Sequence, residues 1–135
     1  MSLVVLDTNV LVYALWTPKG KASAILTETL SGNLQACYDY RILKEYREVL
    51  CRPKFHFSLS YVFTILDSLS RNGVSVVPPP LPDAPFTDED DRAFYEVAKF
   101  CHAPLITGNV RHFPDDPCIT TIADFYRNVL FPGED

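Results

Sequence analysis

Acidic residues stand in this chain where chemistry could use them. Asp7 follows the apolar run Leu3-Val-Val-Leu6, and Asp39 follows the short strand candidate Leu34–Tyr38. Glu45 lies within a helical pattern, and Asp83, Asp88, Glu89, Asp90 and Asp91 crowd residues 82–91 with no basic residue among them. A lone carboxylate at the end of a buried strand is costly to desolvate. Asp7 could cap the helix that follows, but Thr8 and Asn9 are also available for that, which favours a metal ligand or nucleophile at the sheet edge. At about 100° per residue, Glu45 sits at the rim of the stripe made by Ile42, Tyr46, Val49 and Leu50. It could face the sheet or snorkel to solvent, whereas Glu48 lies further round and could pair with Lys44 or Arg52. Asp90 and Asp91 both begin the stripe containing Phe94, Ala98 and Cys101. Either could point inward, while Thr87 or Asp88 caps the helix. Acids brought together repel, and a hard divalent cation stabilises them. Mg²⁺ or Mn²⁺ suits such oxygen ligands and supports hydrolysis of phosphate esters.

The elements that must position these groups alternate. Strands are expected at Leu3–Leu6, Leu34–Tyr38, Val74–Val77, Leu105–Thr107 and Ile119–Ile122. Helices are expected at Val10–Leu15, Lys19–Leu30, around Ile42–Leu50, Ser58–Leu69, Asp88–Cys101 and Ala123–Leu130. Strands that are apolar throughout are covered on both faces, so the class is α/β with a mainly parallel sheet. Active groups in such sheets collect past the carboxyl ends of the strands. That directs attention to Asp7, Asp39, Gly108 and Asn109. The length of 135 residues fits one domain over 1–135, with the Pro-rich stretch 78–85 as an internal loop.

Composition narrows the classes. Hydrophobic residues make up 47% and charged residues 21%, which supports a packed core rather than disorder. No apolar run reaches the roughly 20 residues of a membrane span. The apolar N-terminus lacks a basic leader and is interrupted by Asp7, so a cytoplasmic protein is expected. Cys37, Cys51, Cys101 and Cys118 are scattered, with no CxxC pair, which disfavours a zinc knuckle or disulfide framework. His56, His102 and His112 show no ligand spacing, and His102 most simply ends a helix. The net charge of −5 argues against bulk electrostatic capture of nucleic acid. Arg41, Lys44, Arg47, Arg52 and Lys54 nevertheless form a basic strip that could meet phosphate, and Tyr38, Tyr40 and Tyr46 could stack on bases. No GxGxxG or GxxxxGK[ST] is present. Asn9 stands where a dehalogenase-like phosphatase needs its second acid. A receiver domain would need an acceptor Asp where the third strand ends in Val76-Val77-Pro78.

Four segments together resemble a known family: V-L-D7-T-N-V, I-L-K-E45-Y-R-E-V-L, D-E-D-D91-R-A-F-Y-E-V-A98 and L-I-T107-G-N109. Their order and spacing are similar to those of PIN domains, in particular the VapC-like toxins of bacterial toxin–antitoxin systems. The resemblance covers nearly the whole chain. It implies a three-layer α/β/α fold, with a parallel five-stranded sheet in order 3-2-1-4-5. It implies Mg²⁺- or Mn²⁺-dependent ribonuclease activity on RNA, frequent homodimers and a cognate antitoxin protein. Carried over residue by residue, it makes Asp7, Glu45 and Asp91 the metal-binding acids. Asp91 is chosen over Asp90 because the family acid stands seven residues before the small residue matched by Ala98. Thr107 matches the polar residue after strand 4, and Asn109 stands where many relatives place a fourth acid. His112, Asp115 and Asp116 are the other groups that could replace that acid. The alternative function is a catalytically weak or inactive PIN-like module binding RNA or protein.

Overall fold

The computed structural model describes residues 2–133. Strand β1 (Ser2–Leu6) is followed by helices α1 (Thr8–Trp16) and α2 (Lys21–Leu30). Strand β2 (Leu34–Tyr38) leads to α3 (Tyr40–Leu50), a 3₁₀ turn at Pro53–Phe55, and α4 (Leu59–Asn72). Strand β3 (Val74–Ser75) precedes a long loop. A 3₁₀ turn (Glu89–Asp91), α5 (Arg92–Cys101), β4 (Leu105–Thr107), a 3₁₀ turn (Val110–His112), β5 (Ile119–Thr121) and α6 (Ile122–Phe125) complete the order. A π-helical turn, Tyr126–Leu130, extends α6.

All strand pairings are parallel, and the sheet order is β3-β2-β1-β4-β5. This is the α/β architecture and strand order expected from the sequence. Successive strand residues face opposite sides, yet Val4, Val5 and Leu6 are all fully buried, so helices cover both faces of β1. On α3 the buried positions Ile42, Tyr46 and Leu50 recur every four residues. The centre of α5 differs, because Ala93 through Ala98 are all buried. It is wedged against β1, β2 and α3 rather than presenting one stripe.

Most expected boundaries shift by a residue or more, α1 starting at Thr8 and α4 running to Asn72, and three changes alter an element's extent or type. The third strand covers only Val74–Ser75, not Val74–Val77, and the chain then leaves the sheet edge toward Pro78. The acidic run does not open an α-helix at Asp88. Asp88 instead caps the tighter turn Glu89–Asp91 by accepting from Asp90 N, and α5 begins at Arg92. The last helix is four residues plus a π turn, not one helix over Ala123–Leu130. Gly73 is required where α4 meets β2, since a Cβ there would lie 2.3 Å from the Ala36 carbonyl oxygen. His102 does end a helix: its left-handed backbone (φ 51°) closes α5. Among the described residues no helix is long and apolar enough to cross a membrane, and all four cysteines are free thiols.

Candidate active site

The site is built from three elements that end beside the carboxyl edge of β1. Asp7 leaves β1 and caps α1, accepting 2.8 Å from Thr8 N. Its other oxygen accepts from the Thr107 hydroxyl at 2.7 Å. So the capping role and an inward-facing carboxylate belong to the same residue. Thr8 and Asn9 are not the cap. The Thr8 hydroxyl donates to Glu45 Oε2 at 2.9 Å, linking α1 to α3. Asn9 Oδ1 accepts from Gly108 N at 2.9 Å, linking α1 to the loop after β4. The Asp-Thr-Asn triplet is therefore a junction of three elements, one contact per residue.

Glu45 faces this junction and is half-buried, while Glu48 is exposed, with an oxygen 4.0 Å from Lys44 Nζ. The orientation of α3 is set one residue later. Tyr46 is fully buried, and its hydroxyl donates to the Leu6 carbonyl at 2.5 Å, immediately before Asp7. Its ring packs against Phe94 of α5, with centroids 6.2 Å apart. Tyr46 is thus a positioning residue rather than a base platform. Tyr38 is also buried, donating to the Ser70 carbonyl, and only Tyr40 of the three tyrosines stands open to solvent.

Of the paired aspartates, Asp91 is buried and Asp90 is exposed. Burial, then the neighbouring charges of Asp7 and Asp88, push the Asp91 carboxyl up to about 7. Burial also raises Asp7 and Glu45; the charge of Asp7 adds to the rise of both Glu45 and Asp91, and that of Glu45 to the rise of Asp91. A cavity of about 250 Å³ opens at Glu45, also lined by Tyr40, Arg41, Lys44, Glu89 and Asp90; Asp7 and Asp91 do not line it.

The rim opposite is neutral. Asn109 N donates to the Thr107 hydroxyl at 2.9 Å, and the Asn109 amide lies 3.0 Å from His112 Nε2. His112 Nδ1 is 3.8 Å from Asp91. Of the groups considered for the missing acid, His112 is therefore at the site. Asp116 is not: it is held by Lys99, Tyr95 and Cys118 N, and these bonds keep its carboxyl well below the usual range. Asp115 is exposed and lines a separate cavity with Asp124.

Two further features alter the reading of the sequence. Arg41 does not belong to a free basic strip. Its guanidinium is paired with Asp39 at 2.7 Å and with Glu96 at 2.8 Å. Glu96 also accepts from Leu81 N at 2.6 Å, which anchors the Pro-rich loop to α5. Glu96 gave no signal in sequence, because it occupies what would be the polar side of an ordinary amphipathic helix.

A family model for the PIN domain matches residues 3–111. The chain belongs to the PIN-domain family. PIN domains are typically nucleases, and the four segments that carry the resemblance all lie within the matched span. Comparison with curated proteins and with solved structures gave no match. The oxygen donors of the PIN site suit a hard divalent cation. Among the described residues, however, no three carboxylate, imidazole or thiol groups are drawn together tightly enough to hold one. Thr107 and Thr8 each occupy a carboxylate oxygen of Asp7 and Glu45.

Proposed function

We propose that this PIN domain is a Mg²⁺- or Mn²⁺-dependent endoribonuclease whose metal-binding acids are Asp7, Glu45 and Asp91. The observation that carries the reading is that three partly or wholly buried carboxylates, from β1, α3 and the turn before α5, lie within electrostatic reach of one another. Burial raises all three; the charge of Asp7 also raises Glu45 and Asp91, and that of Glu45 raises Asp91. A structural domain gains nothing from holding three acids this way, whereas a cation site does. When bound, the ion supplies positive charge against the phosphodiester and acidity to a water.

The chain's own residues do the positioning. Thr107 and Thr8 N hold the two oxygens of Asp7, and Thr8 holds Glu45. His112 lies at the rim between Asn109 and Asp91. Asn109 offers a neutral oxygen where many relatives carry charge, so it can ligate but cannot act as a general base. This neutral rim is also what favours the second reading, a PIN-like module with weak or no catalysis. The role of toxin restrained by an antitoxin rests on the sequence resemblance to VapC-like chains.

The test is Asp7→Asn, which is nearly isosteric. Cleavage of single-stranded RNA in Mn²⁺ or Mg²⁺ should fall by orders of magnitude while circular dichroism stays native. Equal cleavage by parent and variant would refute the assignment.

A further inference from the structure

The −5 charge of the chain is distributed so as to leave one region without acids. No Asp or Glu occurs between Thr8 and Thr27, or between Val49 and Leu66. The first segment carries Lys19 and Lys21, and the second Arg52, Lys54 and His56. These two segments meet in space through aromatic rings. Tyr13 and Trp16 of α1 lie 6.5 Å apart, centroid to centroid. Trp16 meets Phe55 edge-on at 5.2 Å, and Phe55 stacks on Phe57 at 5.4 Å.

Two of these rings are open to solvent: Trp16 is 55% exposed and Tyr13 is 44% exposed. Phe55 and Phe57 are half-buried and pack against the core behind them. Lys54 Nζ sits 5.1 Å above the Phe55 ring. Among the described residues, Arg47, Arg52 and Lys54 form no ion pair, in contrast to Arg41 and Lys44 of the same basic strip. The cations left free are thus the ones beside the exposed rings.

The row also connects to the acid cluster. The Tyr13 ring edge lies against Gly108, where a Cβ would approach within 2.6 Å. Gly108 follows Thr107, the residue that holds Asp7. From Thr8 at the site to Trp16, α1 advances about 12 Å at ~1.5 Å per residue, a span that a strand crosses in a few nucleotides.

We propose that the exposed rings of Tyr13 and Trp16, with Phe55 supporting Trp16 from behind and Arg52 and Lys54 alongside in sequence, form a stacking track for single-stranded RNA leading to or from the acid cluster. Flat exposed rings accept any base, and unpaired cations near them meet the backbone phosphates. The two acid-free segments that supply these residues favour a polyanion on an otherwise acidic molecule. The proposal rests on the ribonuclease reading for what the track serves, but its binding can be measured without catalysis.

Trp16 is the chain's one tryptophan, so its fluorescence reports on this face alone. In EDTA, a short oligoadenylate should quench it saturably, and an abasic strand of equal length should not. Trp16→Ala should weaken oligoadenylate binding about tenfold, measured with a labelled strand, and Trp16→Phe should restore most of it. The doubly neutralised Arg52→Gln/Lys54→Gln protein should lower the salt slope of binding by about 1.4. Binding that leaves Trp16 emission unchanged, and is equal in Trp16→Ala, would overturn the track. So would quenching that follows protein concentration instead of RNA, which would make the row a contact between copies. Loss of cleavage in Asp7→Asn with no effect of Trp16→Ala would leave the nuclease reading standing and remove the track. Quenching by oligoadenylate without cleavage in any metal would do the reverse.

Discussion

Asn109 stands where the family resemblance implies a fourth acid. Its backbone bonds to Thr107 and its side chain to His112, so it sits two hydrogen bonds from Asp7 and next to the imidazole facing Asp91. One carboxylate fewer leaves the site less negative and a second cation weakly held. Mn²⁺ tolerates neutral and nitrogen ligands better than Mg²⁺, so activity is expected to favour it. Asn109→Asp adds a charge at almost constant volume, and replaces the amide N–H that faces His112 Nε2 with a carboxylate oxygen. It should lower the metal concentration for half-maximal RNA cleavage and lower the melting temperature of the metal-free protein through added repulsion. Metal titrations that superimpose for the two proteins would place Asn109 outside the metal shell. At this scale the sequence was a partial guide. Spacing left Asp90 and Asp91 equivalent, and the family resemblance chose Asp91, which is the buried one. Nothing local revealed that Thr8 reaches Glu45, because that contact joins residues 37 apart.

Each acid is delivered by an element whose own packing fixes its direction. α3 is the clearest case, since the Tyr46 hydroxyl on Leu6 O sets how Glu45 meets Asp7. Tyr46→Phe removes that bond and leaves a buried carbonyl without its donor, at a cost of about 1–3 kcal/mol. Urea unfolding should show this loss. The variant should also need more metal for cleavage at unchanged RNA affinity, and an unaltered metal requirement would confine Tyr46 to the core. The strands and the stripe of α3 were legible because apolar runs and four-residue recurrences directly encode burial. The start of α5 was not. A run of acids with a capping Asp88 fits a 3₁₀ turn as well as an α-helix, and only the packing of α5 against the sheet decides between them. Arg41 shows the same limit: its membership of a basic strip is a statement about spacing. Its partner Glu96 is 55 residues away, on another helix.

For the molecule as a whole, function follows from how charge is sorted over a parallel sheet. The strand order places β1 at the centre of the sheet, with β4 beside it, so Asp7 and Thr107 emerge together at one edge. Carboxylates gather there, while the two segments that carry Trp16 and Phe55 contain none. The strand order was legible through the family resemblance, and periodicity alone supplied only the α/β class. The central claim is that Asp7, Glu45 and Asp91 form a divalent-cation site. The measurement that bears on it most directly is a calorimetric titration of Mn²⁺ into the metal-free protein and into Asp7→Asn, at a pH where Asp91 is ionised. The account predicts saturable binding to the parent, accompanied by a higher melting temperature, and loss of both in the variant. No binding to the parent, or the same binding to both proteins, would contradict it.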